Sequence, residues 1–251
     1  MEVIVLGSGA FAHQTRNPSG YAVRVGDGRK ETILLDFGFG NLRQLTRAGI
    51  SPETVSHLFF THLHPDHTGD LPAILFRFRY DEKPLSGSLT LLGPPVFLRF
   101  LKNLKKTYSP WITPRGYKLR AQELSGGDRM RRKNWRLETL PVPHTTPALA
   151  FKISSHGKNL VYTVDTAFDM RIAEFARGSD LFILECTCQD SRPHKGHLTV
   201  SQALKLIEKS GCRRALLSHL SLESEKALSS VRKRLRKRNI FLARDFLSIS
   251  L

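Results

Sequence analysis

The amino-acid sequence predicts an α/β fold organised as one domain over residues 1–251. Short apolar runs rich in β-branched residues alternate with longer segments that repeat their apolar residues at helical spacing. With 251 residues, 40% of them hydrophobic, the chain is long enough to bury one large core. No internal repeat, low-complexity tract or evident linker divides the sequence, so one domain is the economical interpretation.

Strands are predicted where apolar and β-branched residues run together, and several of these runs stop at Gly, Pro or Asp. These runs cover residues 3–6, 21–25, 32–35, 55–60, 89–92, 137–142, 148–153, 160–164, 181–184, 214–218, 239–242 and 246–249. Asp27-Gly28 predicts a hairpin turn between the second and third runs.

Helices are predicted from apolar periodicity together with start and stop residues. Asp70 is expected to cap its own helix, with Pro72 in the first turn. Thr199 is expected to begin another helix, and Gly211 ends it. The predicted helices cover residues 41–48, 70–80, 96–108, 199–210 and 223–238.

The charge balance favours a polyanionic partner or substrate. Lys and Arg number 39 against 22 Asp and Glu, which gives a net charge of +17. Such an excess attracts phosphates over long distances and with strong salt dependence. Charge alone does not separate RNA, DNA and small phosphoesters.

The cysteine content and the start of the chain both favour the cytoplasm. Cys186, Cys188 and Cys212 are too few and too odd in number for a disulfide framework, so a reducing compartment fits best. Residues 1–6 lack the basic segment and long apolar core of a signal peptide. Because no apolar run approaches the length of a membrane span, we expect a soluble, cytoplasmic protein without membrane attachment.

A histidine-rich stretch follows directly on the predicted strand at residues 55–60. His62, His64, Asp66 and His67 supply imidazole nitrogens and a carboxylate within six residues. Such ligands at this spacing suit two adjacent divalent ions on a loop that a strand lifts clear of the sheet. The alternative is a chance histidine-rich turn whose side chains are satisfied by hydrogen bonds.

Four later strands repeat this pattern, because each ends on a potential ligand. These residues are His144, Asp165, Glu185 and His219. Asp36 ends an earlier strand, where it can act as a turn or capping residue or can support a metal ligand from behind. Each residue taken alone is more often a packing or capping residue, but together they extend the histidine-rich stretch.

Three segments carry dense positive charge. One predicted helix groups Arg99, Lys102, Lys105 and Lys106, and the C-terminal helix groups Arg232, Lys233, Arg236 and Lys237. Residues 126–136 interleave several basic residues with Trp135, which is a pattern that can contact a phosphate backbone and stack a base. The alternative for all three segments is a solvated surface.

Together these motifs resemble the metallo-β-lactamase superfamily. His62-x-His64-x-Asp66-His67 is followed in the expected order by His144, Asp165 and His219. Within the superfamily the chain is similar to the ribonuclease Z branch and its phosphodiesterase relatives. The segments that carry this closer likeness are Arg16-Asn17-Pro18-Ser19, Asp36-Phe37-Gly38, Gly93-Pro94-Pro95, Leu184-Glu185-Cys186-Thr187 and Gly196-His197-Leu198-Thr199.

The resemblance implies an αββα sandwich, in which two mixed β-sheets are flanked by helices, and a homodimer. It also implies two Zn²⁺ ions, with Mn²⁺ or Fe²⁺ as alternatives. One ion would take His62, His64 and His144, the other Asp66, His67 and His219, and Asp165 would bridge them. Asp36 would orient a ligand from behind.

This sequence differs from the ribonuclease Z branch in two features that bear on the substrate. Ribonuclease Z enzymes generally carry an insertion between the counterparts of His144 and Asp165 that forms a tRNA-gripping arm. Here about twenty residues separate the two positions, enough for a plain hairpin. The second departure is Leu184, which replaces the motif histidine that usually precedes Glu185.

The resemblance leads to a hypothesis of dinuclear zinc-dependent phosphodiester hydrolysis, with RNA or tRNA 3′ ends among the substrates. Asp66 would hold or deprotonate the attacking water, and His197, oriented by Glu185, would protonate the leaving alkoxide. A cyclic-nucleotide or other small phosphodiester is the main alternative, and a lactone or ester is a further one. A nucleic-acid-binding protein with a degenerate metal fold is the non-enzymatic alternative, although every expected ligand position is filled.

Overall fold

A computed structural model describes residues 1–10, 13–26, 31–81 and 87–251 of the chain. The expected turn at Asp27-Gly28 lies outside these residues. Within them the strands are β1 (Glu2–Gly7), β2 (Gly20–Val25), β3 (Glu31–Phe37), β4 (Val55–Phe59), β5 (Gly87–Gly93), β6 (Tyr117–Glu123), β7 (Arg129–Arg131), β8 (Arg136–Val142), β9 (Ala148–Ser155), β10 (Lys158–Thr163), β11 (Leu181–Glu185), β12 (Ala215–Ser218), β13 (Ile240–Leu242) and β14 (Ser248–Ser250). The helices are α1 (Asn41–Arg47), α2 (Pro65–Thr68), α3 (Leu71–Tyr80), α4 (Phe97–Tyr108), α5 (Met170–Phe175), α6 (Val200–Ser210), α7 (Leu222–Ser230) and α8 (Arg232–Lys237).

The described strands form two seven-stranded mixed sheets. The first has the order β14-β1-β2-β3-β4-β5-β6, and the second has the order β13-β12-β11-β10-β9-β8-β7. Strands β3 to β6 run parallel in the first sheet, and β10 to β13 run parallel in the second. The carboxyl ends of parallel strands meet at one edge of a sheet, where loops can gather functional side chains.

Three buried layers hold the sandwich together. The central layer lies between the sheets and includes Tyr21, Phe59, Trp135 and Phe151. A second layer packs α1, α3 and α4 on the first sheet, and a third packs α5 to α8 on the second sheet. The central strands are buried on both faces, which explains why their sequences read as continuous apolar runs. The predicted αββα sandwich is confirmed.

Helix α6 shows how local sequence sets an element's bounds. The Thr199 side chain accepts a hydrogen bond from the Gln202 backbone, and the Gln202 side chain accepts one from the Thr199 backbone, so the two form a capping box. Gly211 ends the helix in a left-handed conformation that glycine adopts without strain. The predicted start at Thr199 and the predicted end at Gly211 are both confirmed.

Two helix predictions were wrong in detail. The Asp70 carboxylate does not cap α3; its Oδ2 accepts from the Leu42 backbone N–H at 2.7 Å, at the start of α1. The single C-terminal helix predicted over residues 223–238 is broken at Val231, which ends α7 and precedes α8. Both differences come from neighbouring elements, which periodicity within one segment does not report.

Strand β6 and helix α5 were not predicted. The exposed Lys118, Arg120 and Gln122 alternate along β6 with residues of intermediate burial, so it lacks the apolar run of the other strands. It is an edge strand that pairs with β5 over its whole length. In the part of the chain that is described, no helix is long and apolar enough to cross a membrane.

Candidate metal centre

The predicted metal-binding residues converge at the carboxyl-end edge of the two sheets. His62 and His64 follow β4, and Asp66 and His67 lie in the short helix α2. His144 follows β8, Asp165 follows β10, and His219 follows β12. Strands β8, β10 and β12 belong to the second sheet and β4 to the first, so the candidate ligands come from both sheets of the sandwich.

The nitrogen and oxygen atoms of these side chains fall into groups small enough to hold a cation. Potential ligand atoms of His62, His64, His144 and Asp165 lie within 4.8 Å of one another. The same holds for Asp66, His67 and His219. These are the two sets that the resemblance implies, although whether each residue binds a metal stays a prediction.

Asp165 lies between the two groups. Its Oδ2 is 3.7 Å from His62 Nε2, and its Oδ1 is 3.3 Å from His219 Nε2 and 3.6 Å from His67 Nε2. Burial raises the pKa of this carboxyl, but the surrounding histidines outweigh burial and hold the pKa below its ordinary value. Asp165 is therefore an anion whose two oxygens face different histidine groups, as a bridging ligand requires.

The facing atoms lack any other partner. His62 Nε2, His67 Nε2, His219 Nε2 and Asp165 Oδ1 are buried without a hydrogen-bond partner in the described structure. Leaving such atoms unpaired costs about 1–3 kcal/mol each, so native proteins rarely do so without a ligand. Imidazole and carboxylate donors are those that Zn²⁺ and similar divalent ions prefer. The donor set therefore fits the implied metals.

Supporting hydrogen bonds fix the direction in which three of the histidines point. His67 Nδ1 donates to Asp36 Oδ2 at 3.0 Å, His144 Nδ1 donates to the Gly196 carbonyl at 2.8 Å, and His219 Nδ1 donates to Thr187 Oγ1 at 2.8 Å. A proton on Nδ1 leaves the Nε2 lone pair free for a metal.

Asp36 is held in place by several donors of its own. Its carboxylate accepts from the Thr61 backbone and hydroxyl, and from the Tyr162 hydroxyl at 2.8 Å. Asp36 therefore lies behind His67, as the second of its two sequence interpretations requires. Neither Thr61 nor Tyr162 was predicted to have this role from the sequence. Thr61 stands next to His62, whereas nothing in the sequence distinguishes Tyr162 among the residues of β10.

Strained backbone conformations occur at the same edge. Asp36 and His219 have φ angles of 50°, in the left-handed region that non-glycine residues seldom adopt. Such strain costs about 1–2 kcal/mol per residue and concentrates at functional sites. Gly196 has a φ of 83°, and a Cβ atom there would come within 2.8 Å of His144 Nδ1, so only glycine fits.

His197 and Glu185 form a pair beside the metal centre. His197 Nδ1 lies 3.1 Å from Glu185 Oε1 and 3.9 Å from Asp165 Oδ2. Burial lowers the pKa of His197, but Glu185 outweighs burial and raises it to about 9. Thr187 links this pair to the ligands, since its hydroxyl donates to Glu185 Oε2 at 2.5 Å and accepts from His219.

The residue that replaces the motif histidine is part of the core. Leu184 is fully buried in the layer that contains the apolar residues of α5 and α6. With leucine in place of the motif histidine, Glu185 still pairs with His197. The expected plain hairpin between His144 and Asp165 is confirmed, because β9 and β10 pair from Lys158 with Ser155 onward.

The basic segment at residues 126–136 lies at the other end of β8. Trp135 is only 2% exposed, and its indole N–H donates to Glu31 Oε2 at 3.2 Å. The suggestion that Trp135 stacks a base was therefore wrong, since its ring packs in the central layer. The hairpin formed by β7 and β8 matches the alternative, a solvated rim.

The family of this protein follows from its similarity to known sequences. A model of the beta-lactamase superfamily domain matches residues 31–220. The chain belongs to the metallo-β-lactamase superfamily. Within it the protein is a ribonuclease Z-like hydrolase.

Two curated relatives are similar to most of this chain, but their alignments with it differ in length. Ribonuclease Z of Pyrococcus furiosus is 28% identical over 272 residues, which covers 87% of this chain and 86% of that protein. A protein of Mycobacterium leprae, described as uncharacterized, is 29% identical over 224 residues, covering 88% of this chain and 78% of that protein. The first alignment is longer than this 251-residue chain, so it includes segments that this chain lacks.

A solved structure supports the fold. The metallo-beta-lactamase fold protein YhfI from Bacillus subtilis matches with a TM-score of 0.81 at 19% identity. The match covers 99% of this chain and 98% of that chain. At this identity the likeness concerns the architecture alone.

Proposed function

We propose that this protein is a dinuclear zinc-dependent phosphodiesterase formed by one catalytic domain over residues 1–251. The observation that carries the proposal is the two candidate ligand groups with Asp165 between them. Within the described part of the chain, their buried facing atoms have no hydrogen-bond partner. The likeness to ribonuclease Z of Pyrococcus furiosus supports a phosphodiester substrate, with RNA and tRNA 3′ ends as the leading candidates.

The metal set follows from the two groups. His62, His64 and His144 would hold one ion, with Asp165 shared. Asp66, His67 and His219 would hold the other. Zinc bound here would polarise a phosphoryl oxygen and lower the pKa of a water molecule. Mn²⁺ and Fe²⁺ accept the same donors and are the alternative metals.

Asp66 is suited to the water that attacks phosphorus. Its Oδ2 faces His67 Nε2 at 3.6 Å and His219 Nε2 at 3.5 Å. Its other oxygen, Oδ1, would accept a proton from the water and fix its orientation. Burial raises the pKa of Asp66, but the interactions with His219 and His67 outweigh burial and hold the pKa below its ordinary value.

His197 is suited to the leaving group. Glu185 holds its Nδ1, so Nε2 is the nitrogen left to donate a proton to the departing alkoxide. The His197 side chain is 22% exposed, so the ring can reach a bound substrate. Its raised pKa keeps the ring protonated at neutral pH, which is the state that an acid needs.

A small phosphodiester is the second candidate substrate. The plain hairpin of β9 and β10 favours it, because no arm extends from this part of the molecule to grip a folded RNA. The resemblance further implies a homodimer, which sedimentation of the purified protein tests. The sparse, odd set of cysteines favours a cytoplasmic protein.

The test is a side-by-side assay of precursor tRNA, cyclic nucleotides and a chromogenic diester at more than one salt concentration. The metal-loaded protein is used, and bound metal is measured on the same sample. Turnover of any of these diesters supports the proposal, and the rates decide between RNA and small substrates. Hydrolysis of a lactone or ester without turnover of any diester would overturn it.

A further inference from the structure

Three arginines of the C-terminal region converge on one cavity. Arg232 and Arg236 of α8 and Arg244 after β13, together called the arginine cluster, line a cavity of about 180 Å³. Its remaining wall is apolar and comes from residues such as Phe241 and Leu247. An adjoining cavity of about 680 Å³ shares Arg232 and Arg236 and adds Lys233 and Arg234.

The arginine cluster lacks counter-ions. Among the described residues, no ion pair involves any of its three side chains. The neighbouring carboxylates are engaged elsewhere: Glu225 binds Arg16 and His13, and Asp245 accepts from Ser8 and Asn17. Burial, followed by the charges of Arg244 and Arg236, lowers the pKa of Arg232. A bound anion would relieve this repulsion.

The sheet register places Arg244 of the arginine cluster at the metal-centre edge, and Arg232 and Arg236 share a cavity with it. Strand β13 runs parallel to β12, with Leu242 opposite Leu217. Arg244 therefore lies two residues beyond the pairing on β13, as His219 does on β12. Adjacent strands are about 4.8 Å apart, so the two positions belong to neighbouring loops of the same edge. Arg16 ties this edge together by donating to the Ala243 carbonyl at 2.5 Å.

We propose that the arginine cluster binds the phosphate backbone of an RNA substrate that extends from the metal centre. The proposal rests on the proposed function and narrows its substrate to a polynucleotide. Guanidinium groups match phosphate oxygens with two parallel hydrogen bonds, and three such groups suit several phosphates of one chain. The arginine cluster would supply the grip that the short hairpin of β9 and β10 lacks.

The test compares two triple variants of equal charge. One is Arg232→Gln, Arg236→Gln and Arg244→Gln. The matched control is Arg131→Gln, Arg132→Gln and Arg136→Gln, at the opposite end of β8 from His144. Both variants lose three positive charges, so long-range attraction alone predicts equal effects.

Affinity for a fluorescent stem-loop RNA with a 3′ extension is measured by anisotropy over a salt series. The arginine-cluster variant should bind about tenfold or more weakly, and the slope of log affinity against log salt should fall by about two to three. The control should keep the wild-type slope. Equal losses in both triple variants, or a loss in neither, would overturn the proposal.

Two further measurements keep the result interpretable. Denaturant unfolding of each variant checks the fold. The substitution Arg244→Lys is a milder change: it should keep the salt slope but weaken RNA binding, because lysine offers a single point charge in place of the guanidinium fork.

If wild-type protein turns over a chromogenic diester but does not bind RNA, this proposal fails and the proposed function stands. If it binds RNA through the cluster but hydrolyses no diester, the proposed function fails and the RNA site stands.

Discussion

Buried histidines occupy both ends of the β-sandwich, but their surroundings differ. At the metal-centre edge, His67 Nε2 and His219 Nε2 have no hydrogen-bond partner among the residues that the structure describes. At the opposite end, His57 Nδ1 lies 3.2 Å from Glu31 Oε1 and 2.8 Å from Ser56 Oγ. The polar groups at the opposite end therefore pair with one another, whereas the buried nitrogens at the edge are the predicted metal ligands.

Removing a predicted metal ligand should produce the largest difference between the ends. His67→Ala takes away one donor of the Asp66–His67–His219 group. Turnover should fall by about 10³-fold or more, because metal ions contribute several kcal/mol of transition-state stabilisation. Bound metal and diester turnover are measured together. His57→Ala is the matched control at the opposite end, and it should keep both; full activity in His67→Ala would contradict the two-metal proposal.

Weakening the hydrogen bond that orients a predicted metal ligand should have a smaller effect than removing the ligand itself. Asp36→Asn weakens the hydrogen bond that orients His67, and metal affinity should drop by about 10–100-fold. Competition with a metal-sensitive dye measures this affinity. Tyr162→Phe removes one donor to Asp36 without touching His67, so its effect should be weaker. Equal affinities in Asp36→Asn and wild type would show that Asp36 serves the fold alone.

The pH dependence of diester turnover tests the pair of His197 and Glu185. Glu185 raises the pKa of His197 to about 9, so activity that needs protonated His197 is present at neutral pH and is lost as pH rises through that value. Glu185→Gln should move this alkaline limb to lower pH, because the raising charge is gone. The profile of diester turnover is measured from pH 6 to 10 with metal content checked at each end. An alkaline limb that stays in place would exclude His197 as the acid.

The smallest effect is expected for a change at Glu31, at the end of the sandwich opposite the metal centre, and it should alter stability alone. Burial raises the pKa of Glu31, but hydrogen bonds from His57, Ser56 and Trp135 outweigh burial and hold the pKa below 4.5. The stabilisation is therefore present above pH 4.5 and is lost as pH falls through the lowered value. Glu31→Gln should cost about 1 kcal/mol at pH 7 and less in acid, as denaturant unfolding would measure. A fall in diester turnover per folded molecule would contradict the conclusion that the end containing Glu31 serves stability alone.

The sequence predicted the strands that carry the metal centre because buried strands leave a strong local signal. The predominantly apolar runs at 55–60 and 181–184 became β4 and β11 with small shifts of their ends. Strand β6 left no such signal, since its polar face is exposed at a sheet edge. Its pairing with β5 decides its structure, and pairing partners are distant in sequence.

Side-chain environments were harder to predict than elements. Trp135 stands among basic residues in the sequence, yet it packs in the central layer because the first sheet covers it. Asp70 precedes a helix that it does not cap, because the start of α1 lies closer to its carboxylate. In both cases the deciding neighbour is more than 25 positions away, so no local pattern reports it.

The sequence by itself determined the fold class and the order of the candidate ligands, because strand runs and the histidine-rich motif are local patterns. Only the tertiary structure decided that Asp165 faces both histidine groups and that Thr187 joins Glu185 to His219. It also decided that Arg244 lies at the same edge as His219, since parallel pairing of β12 with β13 aligns their ends. These relations depend on which strands become neighbours, which is a property of the packed sheets.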